Sequence, residues 1–384
     1  MDSKTIRPMK HDLFIFCGEP SGDLHGESLI QSLLKQNPRL KIFGVGGPRM
    51  RKTPFRTILP MEEFQVMGFT DVFFALPKIL RHFYSLAHLL LKEKPPAVVF
   101  IDYPGFSLRI ERYLRKKGYC GKIIHYICPS VWAHGKGRIA LLEKNVDLLL
   151  AIFPFEPQLF SPSFPIHYVG HPLVSRFQEN PSPHLPWGKD KKIISIFPGS
   201  RKKEILLNFP LQLKAFRAVC SEDVIGAISV SEPSFLPLLE ECILKEGLQI
   251  GKSLKWVFAQ DTYALMQSSY CAIAKSGTVT LELALHKVPT VVTYGIAPLD
   301  LFIVKYLYRI SLPFYCIVNI ICQKEVFKEL FGPFLTEKNL IQELKNLLLP
   351  AYHAQKQSLC LEVEQILGNK KASQESARLI ELLL

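Results

Sequence analysis

Asp102 is the residue of this 384-residue sequence whose position most directly suggests proton transfer. It follows an apolar run at residues 98–101, which predicts a buried strand. A carboxylate at the end of such a strand is well placed to take a proton from a hydroxyl group. The same residue could instead cap the helix that is predicted to follow it, so both roles stay open.

A polar turn follows the first apolar run of the chain and has the sequence GEPSGD at residues 18–23. Gly18 and Gly22 permit a tight turn, and the N-terminus of the following helix favours an anionic or polar ligand. The alternative is an ordinary strand–helix turn in which Ser21 or Asp23 is the N-cap. This turn is therefore a candidate ligand-binding loop.

The second half of the chain contains a basic turn after its first predicted strand. Gly199 and Ser200 let the backbone approach a phosphate, and Arg201 can hold a phosphate through two hydrogen bonds. Lys202 and Lys203 extend the run of cations, which favours a diphosphate. The alternative is a basic turn that is simply solvated.

A second polar turn lies further along the same half. Ser276, Gly277 and Thr278 open a predicted helix after a strand, so N–H groups and hydroxyls would face a ligand there. Glu282 lies one turn into this helix and could accept hydrogen bonds from ribose hydroxyls. The alternative is a helix-capping segment, which Thr278 and Thr280 also suit.

No residue cluster in the sequence predicts a bound metal or another cofactor. His167 and His171 are close, but no third ligand is near them. The nine cysteines are scattered without a Cys-x-x-Cys pair, which argues against a zinc ribbon or a disulfide framework and favours a reduced cytoplasm. The dinucleotide fingerprint, the P-loop and the nucleophile elbow are also missing from the sequence.

Alternating strand and helix patterns must position these residues. The alternation runs through the first half, stops at a proline-containing stretch at residues 177–192 and then resumes. This pattern predicts an α/β fold with parallel sheets, whose ligands bind at the carboxyl ends of the strands. We expect two Rossmann-like domains facing a cleft, at residues 1–175 and 190–345, and a C-terminal helix at about 350–384 that could return to the first.

The formal net charge is +13, from 47 Lys and Arg against 34 Asp and Glu, which favours an anionic partner. The cations are dispersed without a nucleic-acid-recognition motif, so we expect no nucleic acid as a partner. The N-terminus shows no secretory signal, and the apolar stretch at residues 310–322 is shorter than the roughly 18 residues of a spanning helix. Any contact with a membrane should therefore be peripheral.

Nine motifs occur in a fixed order over most of the chain. They are GEPSGD at 18–23, GVGGPRM at 44–50, VMGFTDV at 66–72, IDYPGF at 101–106, PSVWA at 129–133, FPFE at 153–156, VGHPL at 169–173, PGSR at 198–201 and SGTVTLE at 276–282. Each motif is weak alone, but the ordered set resembles the lipid-A-disaccharide synthase family. The sequence departs from the family pattern at Gly105, His134, Val318, Lys324 and Gly332.

The resemblance implies a GT-B glycosyltransferase without a catalytic metal, acting with inversion in lipid A biosynthesis of a Gram-negative bacterium. The donor would be UDP-2,3-diacylglucosamine, and the acceptor would be 2,3-diacylglucosamine 1-phosphate (lipid X). The products would be the disaccharide 1-phosphate and UDP. The implied location is cytoplasmic, with peripheral binding to the anionic surface of the inner membrane. A glycosyltransferase or epimerase that acts on soluble UDP-sugars is the alternative with the same fold.

The resemblance also predicts roles for residues of this sequence. Asp102 would be the base, with Glu19 as the alternative, and Arg201 would stabilise the departing diphosphate. The predicted donor-binding residues are Gly199, Ser200, Arg201, Ser276, Gly277, Thr278, Thr280, Glu282 and Asn319. The predicted acceptor-side residues are Ser21, Gly22, Asp23, Met67, Gly68 and Ser130.

Two segments combine apolar residues with cations, as expected at an anionic membrane surface. The first contains Phe69, Phe73, Phe74, Leu76, Lys78 and Arg81, and the second contains Phe302, Lys305, Tyr306 and Arg309. The main alternative is that these helices pack on their own sheet, as most amphipathic helices do.

Overall fold

The chain divides into two compact units. The computed structural model describes residues 11–64, 69–132, 135–179, 184–185, 187, 190–296 and 313–384. The first unit comprises Met1–Ser175 with Asn369–Leu384, and the second comprises Arg176–Gly368. The division at Ser175 falls just before the proline-containing stretch at residues 177–192, where the alternation of strand and helix patterns stops.

The first unit is built on a parallel sheet with the strand order β3-β2-β1-β4-β5-β6-β7 in its described part. Its strands are β1 (Leu13–Cys17), β2 (Ile42–Gly46), β3 (Phe55–Pro60), β4 (Ala97–Ile101), β5 (Lys122–Tyr126), β6 (Leu148–Ala151) and β7 (Ile166–Tyr168). Its helices include α1 (Pro20–Gln36), α2 (Phe69–Glu93), α3 (Pro104–Lys116) and α4 (Lys136–Asn145), while α5 (Pro172–Glu179) crosses the division between the units.

The second unit is built on a parallel sheet with the order β10-β9-β8-β11-β12-β13 among its described residues. Its strands are β8 (Lys192–Phe197), β9 (Val224–Val230), β10 (Leu254–Phe258), β11 (Cys271–Lys275), β12 (Thr290–Tyr294) and β13 (Lys328–Phe331). Its helices include α6 (Lys202–Arg217), α7 (Leu236–Lys245), α8 (Thr262–Ser268), α9 (Thr278–Leu285), α10 (Ile317–Cys322), α11 (Glu337–Leu348) and α12 (Pro350–Leu367).

The C-terminal segment, which we expected to be a single helix, is two helices. α12 ends at Leu367, and Gly368 follows with a φ of +61°, a conformation that glycine adopts without strain. The last helix, α13 (Ala372–Glu381), belongs to the first unit and packs on α1.

Continuous apolar sequences explain why the central strands are buried on both faces. In β1, Leu13, Ile15 and Cys17 face a core shared with α1 and α13. Phe14 and Phe16 of the same strand face a second core, shared with α2 and α3. A strand covered by helices on both sides needs such an uninterrupted apolar run, and β1 has one.

Helix α6 begins seven residues earlier than the sequence pattern predicts. We expected a helix from about Phe209 to Ser221. The structure starts it at Lys202 and keeps Pro210 in its interior, with Ile205, Phe209 and Leu213 buried at helical spacing. The basic turn therefore leads directly into the first turn of a helix.

The strand orders place a topological switch point in each sheet. In the first unit, β1 and β4 are neighbours. The chain continues from β1 to the strands on one side of this pair and from β4 to the strands on the other side. In the second unit, β8 and β11 have the same relationship. Open parallel sheets bind ligands outside the carboxyl ends of the strands at such points. The polar loops identified in the sequence follow these four strands.

Candidate active site

Glu19 and Asp102 meet at the switch point of the first unit. Cys17, the last residue of β1, pairs with Ile101, the last residue of β4, so the residues that follow the two strands are neighbours. The Glu19 side chain lies close enough to Asp102 to disfavour the ionisation of its carboxyl group. The structure thus brings together the two residues that we considered as bases.

Asp102 has an unusual backbone and an unusual carboxyl group. Its φ is +49° and that of Tyr103 is +53°, so two consecutive non-glycine residues adopt the left-handed conformation. Such strained positions are concentrated at functional sites. Burial is the main cause that raises the pKa of Asp102 to about 6, and the charge of Glu19 raises it further. This carboxyl group can therefore both accept and release a proton near neutral pH.

Neighbouring groups fix the geometry of the Glu19 loop. The Oγ of Ser21 donates a hydrogen bond of 2.8 Å to Oε1 of Glu19. A Cβ on Gly18 would lie 2.6 Å from the ring of Tyr103, so only glycine fits beside that ring. The hydroxyl of Tyr103 in turn donates to the carbonyl oxygen of Phe64 at 2.8 Å.

Further titratable groups that the sequence reasoning missed lie near Asp102. Glu156 is buried and accepts hydrogen bonds from the N–H groups of Ile152 and Phe153. Burial raises the pKa of Glu156 to about 8, and its charge and that of Asp102 repel each other. The thiol of Cys128 also has a raised pKa because it is buried beside Glu156. The motifs could have indicated both residues, since Glu156 is the last residue of the motif at 153–156 and Cys128 directly precedes the motif at 129–133.

The predicted acceptor-side residues differ in exposure. Ser21 and Ser130 are exposed. Gly22 is buried, and a Cβ added to it would lie 3.1 Å from the Cβ of Cys17. Asp23 is also buried, and its carboxylate accepts hydrogen bonds from the N–H groups of Gly47, Arg49 and Met50. Gly22 and Asp23 therefore shape the fold rather than face a ligand, which corrects our expectation for both. Met67 and Gly68 lie outside the described residues.

A cavity of about 370 Å³ lies at the switch point of the second unit. Both predicted loops line it, through Gly199, Ser200, Arg201, Ser276, Gly277 and Thr278. Ser229, Ser231 and Thr262 line it as well, and these three were not predicted. Ser229 and Ser231 follow the rule for strand ends, because they lie at the carboxyl end of β9. Six of the nine predicted donor-binding residues thus share one cavity.

Charged groups converge at this cavity. The Nζ of Lys275, at the end of β11, lies 2.9 Å from Oε1 of Glu204, in the first turn of α6. Glu204 also accepts a hydrogen bond from the N–H of Ser200. The side chain of Arg201 is 81% exposed and 3.5 Å from the same carboxylate. An exposed guanidinium and a partly buried ammonium at one cavity are suited to bind a diphosphate.

The remaining three predicted donor-binding residues do not line the cavity. Thr280 is fully buried, and its hydroxyl donates to the carbonyl oxygen of Gly277, because it lies on the inner side of α9. Glu282 lies two residues further along α9, where the hydroxyl of Tyr263 donates to it at 3.0 Å. Burial raises the pKa of Glu282. Thr280 therefore has a structural role, which corrects our expectation.

Asn319 also has a structural role. It is fully buried, and its side-chain amide donates to the carbonyl oxygen of Phe327 and to Glu329. Its side-chain oxygen accepts hydrogen bonds from the N–H groups of Val326 and Phe327. All four hydrogen bonds that the amide can make are used within the protein. The side-chain amide of Asn319 therefore has no hydrogen-bonding group left for the donor, which corrects our expectation of a side-chain contact.

The first predicted membrane segment lies on α2. Leu76, Leu80 and Tyr84 are exposed at successive turns of this helix, and the side chain of Lys78 pairs with Glu63 at 2.8 Å. Arg81 is also exposed. The side chains of Phe69, Phe73 and Phe74 lie outside the described part of the structure, as do Phe302, Lys305, Tyr306 and Arg309. Within that described part, no helix combines the length and apolar character needed to cross a bilayer.

Comparison with known protein families identifies the chain. The family model for LpxB, lipid-A-disaccharide synthetase, matches residues 13–381. A lipid-A-disaccharide synthase from Chlamydia pneumoniae is 41% identical over 83% of this chain, and this chain spans about half of that relative, 53% of its length. A lipid-A-disaccharide synthase from Geobacter sulfurreducens is 32% identical over 96% of both chains.

Comparison with solved structures identifies the fold. The UDP-GlcNAc 2-epimerase of Neisseria meningitidis, solved with UDP-GlcNAc, superposes with a TM-score of 0.59 at 13% identity, over 97% of this chain and 99% of that one. A calicheamicin glycosyltransferase superposes with a TM-score of 0.60 at 11% identity, over 98% and 99%. The two parallel-sheet units are those of the GT-B fold, and the chain belongs to the lipid-A-disaccharide synthetase family.

Proposed function

We propose that this protein is an inverting glycosyltransferase that joins UDP-2,3-diacylglucosamine to lipid X and releases UDP. The observation that carries the proposal is the paired carboxylates of Glu19 and Asp102 at a switch point, in a chain of this family. A carboxyl group with a pKa of about 6 is suited to general base catalysis near neutral pH.

In this proposal, Asp102 takes the proton of the acceptor 6-hydroxyl. The resulting oxygen nucleophile forms a bond to the anomeric carbon of the donor, while the bond from that carbon to UDP breaks on the opposite face. One displacement of this kind inverts the configuration. The negative charge moves to the departing diphosphate, and fixed cations stabilise it most when they are positioned in advance.

The second unit would supply those cations and hold the donor. Arg201 and Lys275 are the candidates for the diphosphate, because both line the cavity and carry positive charge. The hydroxyls of Ser276 and Thr278 and the start of α9 would add hydrogen-bond donors. Glu282, held by Tyr263, would accept hydrogen bonds from the ribose.

The membrane part of the proposal rests on α2. Its exposed apolar stripe at Leu76, Leu80 and Tyr84 has Lys78 and Arg81 beside it, a combination that suits a surface of anionic lipids. Both proposed substrates carry acyl chains and reside in a bilayer. We therefore propose that the protein binds peripherally to the cytoplasmic surface of the inner membrane.

Product analysis tests the reaction. The protein is incubated with UDP-2,3-diacylglucosamine and lipid X, and mass spectrometry follows UDP and the disaccharide 1-phosphate. We expect both products to appear together, and neither to appear without lipid X. Conversion of UDP-N-acetylglucosamine without any disaccharide from the acylated pair would instead support an enzyme for soluble UDP-sugars.

A further inference from the structure

A buried pair of charged side chains lies beside Asp102 without a role in the proposed reaction. Oε1 of Glu111, on α3, lies 2.6 Å from Nδ1 of His125, on β5. The side chains are 1% and 0% exposed. Removing two such groups from water is costly, and apolar residues usually fill this kind of position at least as well. The pair therefore calls for an explanation beyond stability.

The strand register places His125 next to the candidate base. β4 and β5 pair so that Phe100 lies opposite His125, and the N–H of Asp102 continues the ladder with a 2.9 Å hydrogen bond to the carbonyl oxygen of Tyr126. His125 and Asp102 are thus held on adjacent strands by backbone hydrogen bonds. Their charges attract each other.

Among the described residues, only one of the two ring nitrogens of His125 has a hydrogen-bond partner. Nδ1 is engaged by Glu111, whereas Nε2 is buried with no partner of hydrogen-bond geometry among the described residues. Burial lowers the pKa of His125, but Glu111, Asp102 and the backbone of Ile127 raise it, and the net change is a rise. A neutral ring can donate its Nδ1–H to Glu111, and a protonated ring gains the attraction of the carboxylate charges in addition.

The other titratable groups around Asp102 oppose its ionisation. Glu19 acts on it from the loop before α1, and Glu156 and Cys128 lie nearby after β6 and β5. Two of these are carboxyl groups that repel a second negative charge. His125 is the charged side chain that acts in the opposite direction and lowers the pKa of Asp102.

We propose that the Glu111–His125 pair is a positioning element for Asp102, in which Glu111 holds His125 protonated and the imidazolium favours the carboxylate form of Asp102. The inference rests on the proposed role of Asp102 as the base. It adds that the pH range of the reaction is set by a buried residue on β5 and another on α3, neither of which contacts a substrate.

Rate profiles against pH test this role. We would measure kcat/KM from pH 5 to 9 for the wild type, Glu111→Gln and His125→Gln. Gln at position 111 keeps an acceptor for Nδ1 but removes the charge. Without the imidazolium, the pKa of Asp102 rises. The acidic limb of the kcat/KM profile should therefore move to higher pH by about one unit. We expect a tenfold loss at pH 5.5, and rates within threefold of the wild type at pH 8.5.

Tyr119→Phe is the matched control for lost stability. Its hydroxyl is buried and donates to the carbonyl oxygen of Pro95, just before β4, whereas Asp102 follows the other end of that strand. This variant should be less stable with an unchanged pH profile. If the Glu111→Gln profile has the wild-type shape at a lower rate, the pair is only structural and the proposal is wrong.

A second measurement does not depend on turnover. The ¹⁵N resonances of the His125 ring, assigned with His125→Gln, report its protonation in the wild type without substrates. We expect both ring nitrogens to carry protons at pH 7, and a neutral ring at that pH would overturn the inference. A neutral His125 in an enzyme that still forms the disaccharide would leave the proposed function intact. A protonated His125 in a protein without transferase activity would contradict the proposed function but not the protonation of His125 by Glu111.

Discussion

Lys275 and Glu204 form an ion pair, with a distance of 2.9 Å between Nζ and Oε1, at the cavity of the second unit. Both side chains are less than one-fifth exposed. The pair joins the end of β11 to the first turn of α6. It therefore holds together the two loops that follow the switch-point strands, and it places an ammonium group at the cavity.

Lys275→Met should weaken the binding of UDP. The variant removes a cation from the proposed diphosphate site and leaves Glu204 without its nearer cationic partner, so we expect the Kd of UDP to rise by about 10- to 100-fold, or roughly 1.4–3 kcal/mol. Titration calorimetry with UDP and with uridine would measure this. Uridine lacks the diphosphate and should bind as before.

Lys255→Met is the control for that experiment. Lys255 is a cation of the same unit, but it lies over the ring of Trp187 at 5.2 Å rather than at the cavity. The Kd of UDP should stay within twofold in this variant. Equal weakening of UDP and uridine by Lys275→Met would contradict a specific role at the diphosphate.

Asp102→Asn should abolish transfer while leaving UDP binding unchanged. The amide cannot take the acceptor proton, so we expect kcat to fall by about 10³-fold, in the range typical for loss of a general base. The Kd of UDP should stay within twofold. Asp12→Asn is the matched control, because Asp12 lies just before β1 and accepts a hydrogen bond from the backbone of Lys41. Retained turnover in Asp102→Asn would remove Asp102 from the role.

The pH dependence of Glu19→Gln should identify the base. In the proposed mechanism Asp102 acts as a carboxylate, and its pKa is about 6, so the wild-type rate should fall as the pH drops below that value. The charge of Glu19 raises the pKa of Asp102, so removing it should move the acidic limb to lower pH. The ratio of kcat/KM of the variant to kcat/KM of the wild type should therefore increase as the pH is lowered from 8 to 5. Loss of activity at every pH would instead indicate that Glu19, and not Asp102, is the base.

Removing two cations from α2 should weaken membrane binding. Because Lys78 pairs with Glu63, neutralisation avoids the repulsion that reversal of its charge would create. Each cation near an anionic surface contributes about 1 kcal/mol, so Lys78→Gln with Arg81→Gln should reduce binding to anionic vesicles by about 30-fold. Sedimentation with such vesicles measures the bound fraction.

The control for the vesicle experiment carries the same change of charge elsewhere. Lys338→Gln with Lys345→Gln removes two exposed cations from α11 in the second unit. Vesicle binding should change by less than threefold in this double variant. Equal losses in both double variants would show that net charge, and not the α2 surface, determines binding.

Asn319→Ala should destabilise the second unit without a specific loss of UDP binding. The variant leaves backbone groups of Val326 and Phe327 without partners, and we expect a loss of about 3 kcal/mol in the free energy of unfolding. Urea unfolding measures this, and Asn346→Ala on α11 is the matched control, with an expected loss below about 1 kcal/mol. Unchanged stability with weaker UDP binding would restore Asn319 as a donor contact.

The sequence by itself determined the α/β architecture and the positions of the polar loops. Apolar runs and helical spacing are local. They predict strands at residues 192–197, 224–230 and 254–258 and a helix at 278–285, which are the bounds of β8, β9, β10 and α9 in the structure. The rule that ligands bind at strand ends then selects residues 199–201 and 276–278, which line one cavity. These features depend on neighbours along the chain, so a sequence pattern can identify them.

The tertiary structure decided which side chains meet. Glu19 reaches Asp102 because β1 lies beside β4, and His125 reaches Glu111 because α3 covers β5, and no local pattern encodes either arrangement. Burial of Thr280 and Asn319 likewise depends on the elements that pack over them. A polar residue in a motif can contact a ligand or the protein itself, and only the packing of distant segments determines which.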